Sequence, residues 1–188
     1  MALIFRGRSK CSICSEILQT DDRLYATSHF LGPEHFLWRY SDSGMHWDCF
    51  EKWEHREAFV KELVSVRTAC SWGDGSARVY SGAECTVVVH VLEEFKDCSS
   101  LASERSSPRL SEHPNVAVWL HSVGKPLCTK LSEWDSWLSS DPGFSSKLLQ
   151  ESWKAAAEEL SKISTESLIQ GVDRDALLRD RKKKLTSF

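Results

Sequence analysis

The sequence predicts an α+β protein in which an N-terminal treble-clef zinc module precedes a small, mostly antiparallel sheet with C-terminal helices. Paired metal-ligand motifs occupy the first 50 residues, and apolar residues in strand-like runs continue from residue 70 to residue 131. Helical periodicity then extends over residues 132–184. These changes of pattern place two domains at residues 1–66 and 67–188.

Four residues near the start of the chain have the spacing of a zinc site. Two residues separate Cys11 from Cys14, so one tight turn can aim both sulfurs at a single point. His46 and Cys49 are also three positions apart, and such residues share a face at the start of a helix. Because structural zinc takes four nitrogen or sulfur ligands in a tetrahedron, these residues predict one structural Zn²⁺.

The rest of the zinc module is predicted to be a hairpin followed by a helix. Residues 23–30 alternate as a strand, Gly32-Pro33 marks the turn, and residues 36–41 return as a second strand. One helix is expected over residues 47–66, so that its first turn carries the last two zinc ligands. Its apolar face comprises Phe50, Trp53, Val60, Leu63 and Val64.

The second domain is predicted to begin with a sheet. Strands are expected over residues 77–81, 85–92, 116–123 and 127–131. Val87, Val88 and Val89 are apolar on both faces, which predicts a central strand. Residues 96–115 are rich in Ser, Glu, Arg and Pro and predict an exposed loop.

Helices are predicted to complete the second domain. Ser132, followed by Asp135, is expected to cap a short helix that carries Trp134 and Trp137. Asp141-Pro142 is expected to start the next helix, and Gly171 to stop a short one after it. Asp173 is expected to cap a last helix. The apolar stripe of the long helix comprises Leu148, Leu149, Trp153, Ala156, Leu160 and Ile163.

The ligand pattern resembles a known family of zinc fingers. The pattern consists of Cys11-x2-Cys14, then 31 residues, and then His46-x2-Cys49 followed by Phe50. It is similar to the fingers of poly(ADP-ribose) polymerases and, more loosely, to half of a LIM domain. The first third of the chain also resembles small bacterial stand-alone zinc-finger proteins. The resemblance implies Cys-Cys-His-Cys ligation. In the polymerase fingers, basic and apolar residues grip DNA ends.

Composition argues against several classes of protein. The formal charge is −3 and the pI is near 6.2, so no global basic character points to nucleic acid or anionic membrane. Residues 1–56 carry seven Lys/Arg against eight Asp/Glu. The chain shows no signal-peptide pattern and no apolar run approaching the roughly 18 residues of a membrane span.

The cysteine count predicts a reducing, cytoplasmic environment. There are seven cysteines, an odd number, and only three have metal-ligand spacing. The remaining four are expected to be free thiols: Cys70, Cys85, Cys98 and Cys128. A secreted, disulfide-bonded protein is the alternative.

The sequence does not predict an enzyme. Four protein ligands leave zinc no open position for a reactive water, and the His-Glu-x-x-His and deaminase motifs are absent. The free cysteines, with His90, His113 or His121 as base, lack a local catalytic signature. His29, His35 and His55 are expected to lie at the surface or around the site rather than to bind the metal.

The predicted function is non-enzymatic and depends on protein–protein contact. A compact, slightly acidic chain with no catalytic motif has the profile of bacterial immunity (antitoxin) proteins and adaptors, and its acidic charge suits a basic partner such as a nuclease toxin. The alternative is a nucleic-acid-binding finger. That finger would use Arg6, Arg8, Lys10, Arg23 and Arg39. A third alternative is an unrecognised enzyme within residues 70–188.

Overall fold

The computed structural model describes residues 3–69, 76–92, 110–144, 146–170 and 172. Within them the chain combines two antiparallel sheets with five α-helices, which confirms the predicted α+β class. The chain divides into two compact units, Met1–Val66 (unit 1) and Arg67–Phe188 (unit 2).

Unit 1 contains a two-stranded sheet followed by two helices. Its elements are β1 (Leu24–Ala26), a 3₁₀ turn (Trp38–Tyr40), β2 (Gly44–His46), α1 (Trp47–Glu51) and α2 (Arg56–Thr68), which runs past the unit boundary. Strand β1 pairs antiparallel with β2, and Tyr25 lies opposite Met45. Both of these side chains are almost fully buried.

The predicted second strand at residues 36–41 is wrong. That segment folds into the 3₁₀ turn, where the Trp38 N–H donates to the His35 carbonyl at 2.8 Å. The partner of β1 is instead residues 44–46, where Gly44 allows a close approach of the chain. A Cβ at Gly44 would lie 2.7 Å from the end of the Ile4 side chain, so a larger residue there would make Ile4 move.

The predicted single helix over residues 47–66 is also wrong. Helix α1 ends at Glu51 and α2 begins at Arg56. The Arg56 guanidinium donates to the Glu51 carbonyl at 2.9 Å, which is the carbonyl that the His55 N–H would use in a continuous helix. The break also lets Trp53 pack against Tyr40, with ring centroids 4.4 Å apart.

Unit 2 is built on a four-stranded antiparallel sheet. The strands are β3 (Ser76–Ser81), β4 (Cys85–Leu92), β5 (Leu110–Leu120) and β6 (Pro126–Lys130), in the order β3-β4-β5-β6. The central position predicted for Val87, Val88 and Val89 is confirmed, because β4 has a neighbour on each side and all three valines are buried.

The predicted exposed loop at residues 96–115 is wrong over its last part. Residues 110–115 belong to β5, and Asn115 pairs with His90 on one side and Lys130 on the other. Pro114 has no N–H for the ladder, and the register of β4 and β5 shifts beside it, between His90 and Leu92. Residues 96–109 lie outside the part of the chain that the structure describes.

Helices α3 (Trp134–Leu138), α4 (Lys147–Leu160) and α5 (Thr165–Gln170) contribute to the core of unit 2. The predicted stripe of α4 is confirmed from Leu148 to Leu160, since Trp153, Ala156 and Leu160 are buried in that core, but Ile163 follows the end of the helix. Its hydrophobic cluster comprises Ala77, Cys85, Val87, Val89, Val116, Val118, Leu120, Val123, Leu131, Trp134, Trp153, Ala156, Leu160, Leu168 and Val172.

Two predicted helix caps are wrong. Glu133, not Ser132, is the N-cap of α3, because a 3₁₀ turn over Leu131–Glu133 leads into that helix. Helix α4 starts after Ser146 rather than at Asp141-Pro142, and the Ser146 hydroxyl accepts from the Leu149 N–H at 3.4 Å. Helix α5 is described as far as Gln170, and Gly171, which was expected to stop it, lies outside the described residues. The helix expected after Asp173 lies outside the described residues.

Glu159 joins α4 to the β3–β4 turn. Its carboxylate accepts from the Tyr80 hydroxyl at 2.7 Å and from the Glu84 N–H at 2.9 Å. The hydrogen bond between Tyr80 and Glu159, with burial adding to its effect, raises the pKa of Tyr80 to about 12. A Cβ at Gly82 would overlap the same carboxylate. The turn can therefore hold Glu159 only if residue 82 is glycine.

We expect Gly82→Ala to lower the free energy of unfolding of unit 2 by about 1–2 kcal/mol, because the carboxylate must abandon two charge-assisted hydrogen bonds. Urea denaturation measures the change. Gly32→Ala is the matched control, since a Cβ there meets nothing within 4 Å. Equal unfolding midpoints for the two variants would contradict this role of Gly82.

Candidate metal site

Cys11 and Cys14 lie in a tight loop closed by a bridge between Lys10 and Ile17. The Cys11 N–H donates to the Glu16 carbonyl at 2.8 Å, and the Ser15 N–H returns to the Cys11 carbonyl at 2.9 Å. Ser15 has a φ of 68°, the left-handed conformation that turns the chain back. The loop therefore presents both sulfurs on the same side.

His46 and Cys49 reach the site from the junction of β2 and α1. His46 is the last residue of β2 and also the extended N-cap of α1, and Cys49 lies in the first turn of that helix. The pairing of Leu24 with His46 and the 2.8 Å hydrogen bond from the Trp47 N–H to the Arg23 carbonyl fix this junction against β1.

The structure brings all four predicted ligands together. Their ligand atoms all lie within 4.8 Å of one another. The His46 Nδ1 atom is 3.4 Å from the Cys14 Sγ and 3.8 Å from the Cys49 Sγ. Tetrahedral zinc, with Zn–S near 2.3 Å and Zn–N near 2.0 Å, separates such ligand atoms by about 3.5 Å. The four residues are therefore close enough to bind one metal ion.

The electrostatics of the cluster also suit a cation. Burial raises the pKa of the Cys11 thiol, but backbone N–H groups of Cys14 and His46 outweigh it and bring that pKa to about 7. Burial and the neighbouring sulfurs raise the pKa of Cys49 to about 12. For His46, burial lowers the imidazole pKa, while Cys11 and Asp22 raise it, and the net change is upward. Crowded thiolates repel one another, and a divalent cation removes that repulsion.

One residue of the site was not predicted. The Asp22 Oδ2 atom lies 3.0 Å from the His46 Nε2, on the side of the ring opposite the cysteines. Asp22 is two positions before Leu24, which pairs with His46. Only the correct register of β1 and β2 could have revealed this contact, and the predicted hairpin used a different second strand.

The remaining histidines of unit 1 are not part of the four-residue group. The His35 Nδ1 accepts from the Leu37 N–H at 3.2 Å. The His55 ring packs edge-on against Phe36 and Trp53.

In unit 2, the described cysteines are free thiols, as predicted, and lie on strands. Burial raises the pKa of Cys85 to about 12 and also raises that of Cys128, which disfavours the reactive thiolate. His90 bonds to Ser76 and His121 to Thr86, at 2.6 and 2.8 Å respectively. Cys70, Cys98 and the side chain of His113 lie outside the described part of the chain.

Three of the five basic residues expected of a nucleic-acid finger make contacts within the protein. Arg6 donates to the carbonyls of Gln19, Thr20 and Asp22 at 2.6–3.0 Å. Arg23 lies 5.3 Å from the centre of the Trp47 ring, and Arg39 lies over the ring of Tyr40 and donates to its hydroxyl. All five of these residues, including Arg8 and Lys10, are nevertheless exposed.

Comparisons of the chain with protein-family models, with curated proteins and with solved structures found no match. Among the described residues, no helix has both the length and the apolar character needed to cross a membrane. The site itself therefore carries the functional argument. It is a Cys-Cys-His-Cys cluster that can hold one metal ion, compatible with a zinc finger of that ligand order.

Proposed function

We propose that this chain is a non-enzymatic zinc protein that acts by binding another protein. The observation that carries the proposal is the complete ligand set: three cysteine sulfurs and one imidazole nitrogen close around a single point. A structural zinc ion with four protein ligands has no position left for a reacting water. Unit 1 is then a treble-clef finger, and the metal stabilises its fold.

The chemistry of the ligands selects zinc. Thiolates are soft ligands that magnesium and calcium avoid, and a tetrahedral set of sulfur and nitrogen ligands is typical of Zn²⁺. Free thiolates also need a reducing environment to remain ligands, which supports a cytoplasmic location.

An exposed aromatic surface on unit 1 supports protein binding. The Phe36 surface consists of Phe36 and Trp38, whose side chains are 68% and 45% exposed, together with the rings of His35 and His55 that pack on Phe36. Most aromatic side chains of unit 1 are buried or partly buried, and Phe36 and Trp38 are exposed there together with Phe5. Exposed aromatic residues of this kind are common anchors at protein interfaces.

The charge around the Phe36 surface favours a basic partner. Glu34 and Glu54 are exposed beside it, and the Glu54 carboxylate lies 3.7 Å from the His55 ring. Residues 31–62 carry seven Asp/Glu against four Lys/Arg. Complementary charge speeds and directs association, so the partner that fits is a protein with cationic residues around an apolar side chain. A nuclease toxin neutralised by an immunity protein is one such partner.

Selection from a random peptide library on the zinc-loaded chain tests this surface. We expect enriched peptides to combine Lys or Arg with an apolar anchor, and Phe36→Ser to weaken their binding at least tenfold. Ile169→Ser, which removes another exposed apolar side chain in α5, is the control and should leave binding unchanged. Peptides that ignore Phe36, or a selection without basic enrichment, would refute this surface.

Nucleic-acid binding is the second candidate, and a separate observation favours it. Leu3, Phe5 and Ile17 are 84%, 62% and 41% exposed. Arg8 and Lys10 are exposed on the same N-terminal segment. Basic residues beside apolar ones are the arrangement implied by the resemblance to polymerase fingers.

Titration of duplex DNA with free ends, at about 50 and 200 mM salt, separates the two candidates. A finger making several phosphate contacts loses orders of magnitude in affinity between these concentrations. We expect no salt-sensitive binding. If such binding appears and Arg8→Ala together with Lys10→Ala weakens it, the nucleic-acid function replaces the protein-binding one.

A further inference from the structure

We propose that Asp22 is the positioning residue of the metal site: its carboxylate fixes the orientation and tautomer of His46 and so slows release of the metal. The inference rests on the zinc binding proposed above and extends it to a residue outside the ligand set. It concerns how firmly the metal is held.

The two ring nitrogens of His46 face different partners. Nδ1 points to the sulfurs of Cys14 and Cys49 at 3.4 and 3.8 Å, whereas Nε2 lies 3.0 Å from the Asp22 carboxylate. An ionised carboxylate only accepts hydrogen bonds, and a neutral imidazole has one N–H. Contact with Asp22 therefore places the proton on Nε2 and leaves the Nδ1 lone pair free for the metal.

Backbone hydrogen bonds fix the positions of both Asp22 and His46. The Gln19 N–H donates to the same Asp22 oxygen at 2.5 Å. The Arg6 guanidinium donates to carbonyls on both sides of this turn, including the Asp22 carbonyl at 3.0 Å. On the other side, β1 pairing with β2 fixes the backbone of His46. The carboxylate and the imidazole thus meet through two independently fixed segments.

The low exposure of Asp22 and His46 is consistent with a hydrogen bond that contributes to metal affinity. The side chains of His46 and Asp22 are 20% and 27% exposed, so water reaches them only in part. A carboxylate that orients a metal-bound histidine typically contributes 10- to 100-fold to metal affinity. Without it, the ring can rotate, and either nitrogen can carry the proton.

Asp22→Asn and Asp22→Ala test the inference. Asparagine has nearly the same shape and can still accept from the Gln19 N–H, but it removes the negative charge from Nε2. Alanine removes both contacts. Asp21→Asn is the matched control, because it makes the same change at the exposed neighbouring residue.

The first readout is zinc transfer to a chromogenic chelator from the zinc-loaded full chain. We expect release at least tenfold faster from Asp22→Ala and several-fold faster from Asp22→Asn, with Asp21→Asn at the wild-type rate. Rates within twofold of wild type for both Asp22 variants would overturn the proposal.

The second readout needs no variant, so it survives any folding defect of the mutants. Long-range ¹H–¹⁵N spectra of the zinc-loaded wild type should show His46 with a metal-bound Nδ1 and a protonated Nε2 whose proton exchanges slowly. Metal binding through Nδ1 by itself leaves the proton on Nε2, so slow exchange of that proton is the part of the result that reports the hydrogen bond to Asp22. A metal-bound Nε2, or a rapidly exchanging Nε2 proton, refutes the proposal. If the wild-type chain binds no zinc at all, the proposed function fails instead.

Discussion

Cys14→Ser is expected to abolish zinc retention and the cooperative unfolding of unit 1. Cys14 is exposed, so the substitution removes a metal ligand without opening a cavity. Structural zinc contributes about 10–16 kcal/mol in zinc-finger peptides, as much as or more than the ~5–15 kcal/mol that holds a typical domain folded. Losing most of that binding energy leaves unit 1 to be held by two three-residue strands, two helices and its apolar core, and a domain of that size is only marginally stable.

Elemental analysis of purified protein measures zinc retention, and near-ultraviolet circular dichroism measures the cooperative unfolding. We expect about one equivalent of zinc in the wild type and almost none in the variant. Cys128→Ser makes the same chemical change at an exposed cysteine of β6 and should leave both measurements unchanged. Unaltered zinc content and stability in Cys14→Ser would disprove a structural metal at this site.

Trp134→Ala is expected to lower the free energy of unfolding of unit 2 by about 3–5 kcal/mol, because it empties the volume of a core aromatic residue. Trp134 is 1% exposed, and its ring lies 5.8 Å from that of Trp137. Among the described residues, the Trp134 Nε1 has no hydrogen-bond partner. Leaving a buried donor unpaired costs about 1–3 kcal/mol.

Trp134→Phe should therefore cost less than half as much as Trp134→Ala, since it keeps most of the apolar volume and removes the unpaired donor. Urea unfolding of both variants measures the difference. Trp38→Phe is the control, because Trp38 is 45% exposed and lies in unit 1. If phenylalanine at position 134 is as damaging as alanine, the indole N–H has a partner in the folded protein.

Some features followed from local patterns in the sequence alone. The spacing of Cys11 and Cys14, and of His46 and Cys49, specified two ligand pairs, because each pair spans a single turn of chain. Strand β4 was recognisable because continuous branched apolar residues suit a central strand. The stripe of α4 was recognisable because it repeats with the helical period.

Other features depended on contacts between distant residues. Residues 36–41 had a strand-like pattern, but β1 pairs with residues 44–46, where Ile4 lies close to Gly44. Helix α1 ends at Glu51, and the side chain of Arg56 bonds to the carbonyl that a continuous helix would use. Local propensity contains no information about either event.

For the site, the sequence by itself identified the four candidate metal ligands and their pairing into two turns. The tertiary structure alone decided that the two pairs converge and that Asp22 lies on the far side of His46. The physical reason is that ligand spacing is local to a few residues, whereas the β1–β2 register joins residues 22 positions apart along the chain, Leu24 and His46. Such a register is specified by the burial of one face of the strands, which depends on the packing of the whole unit.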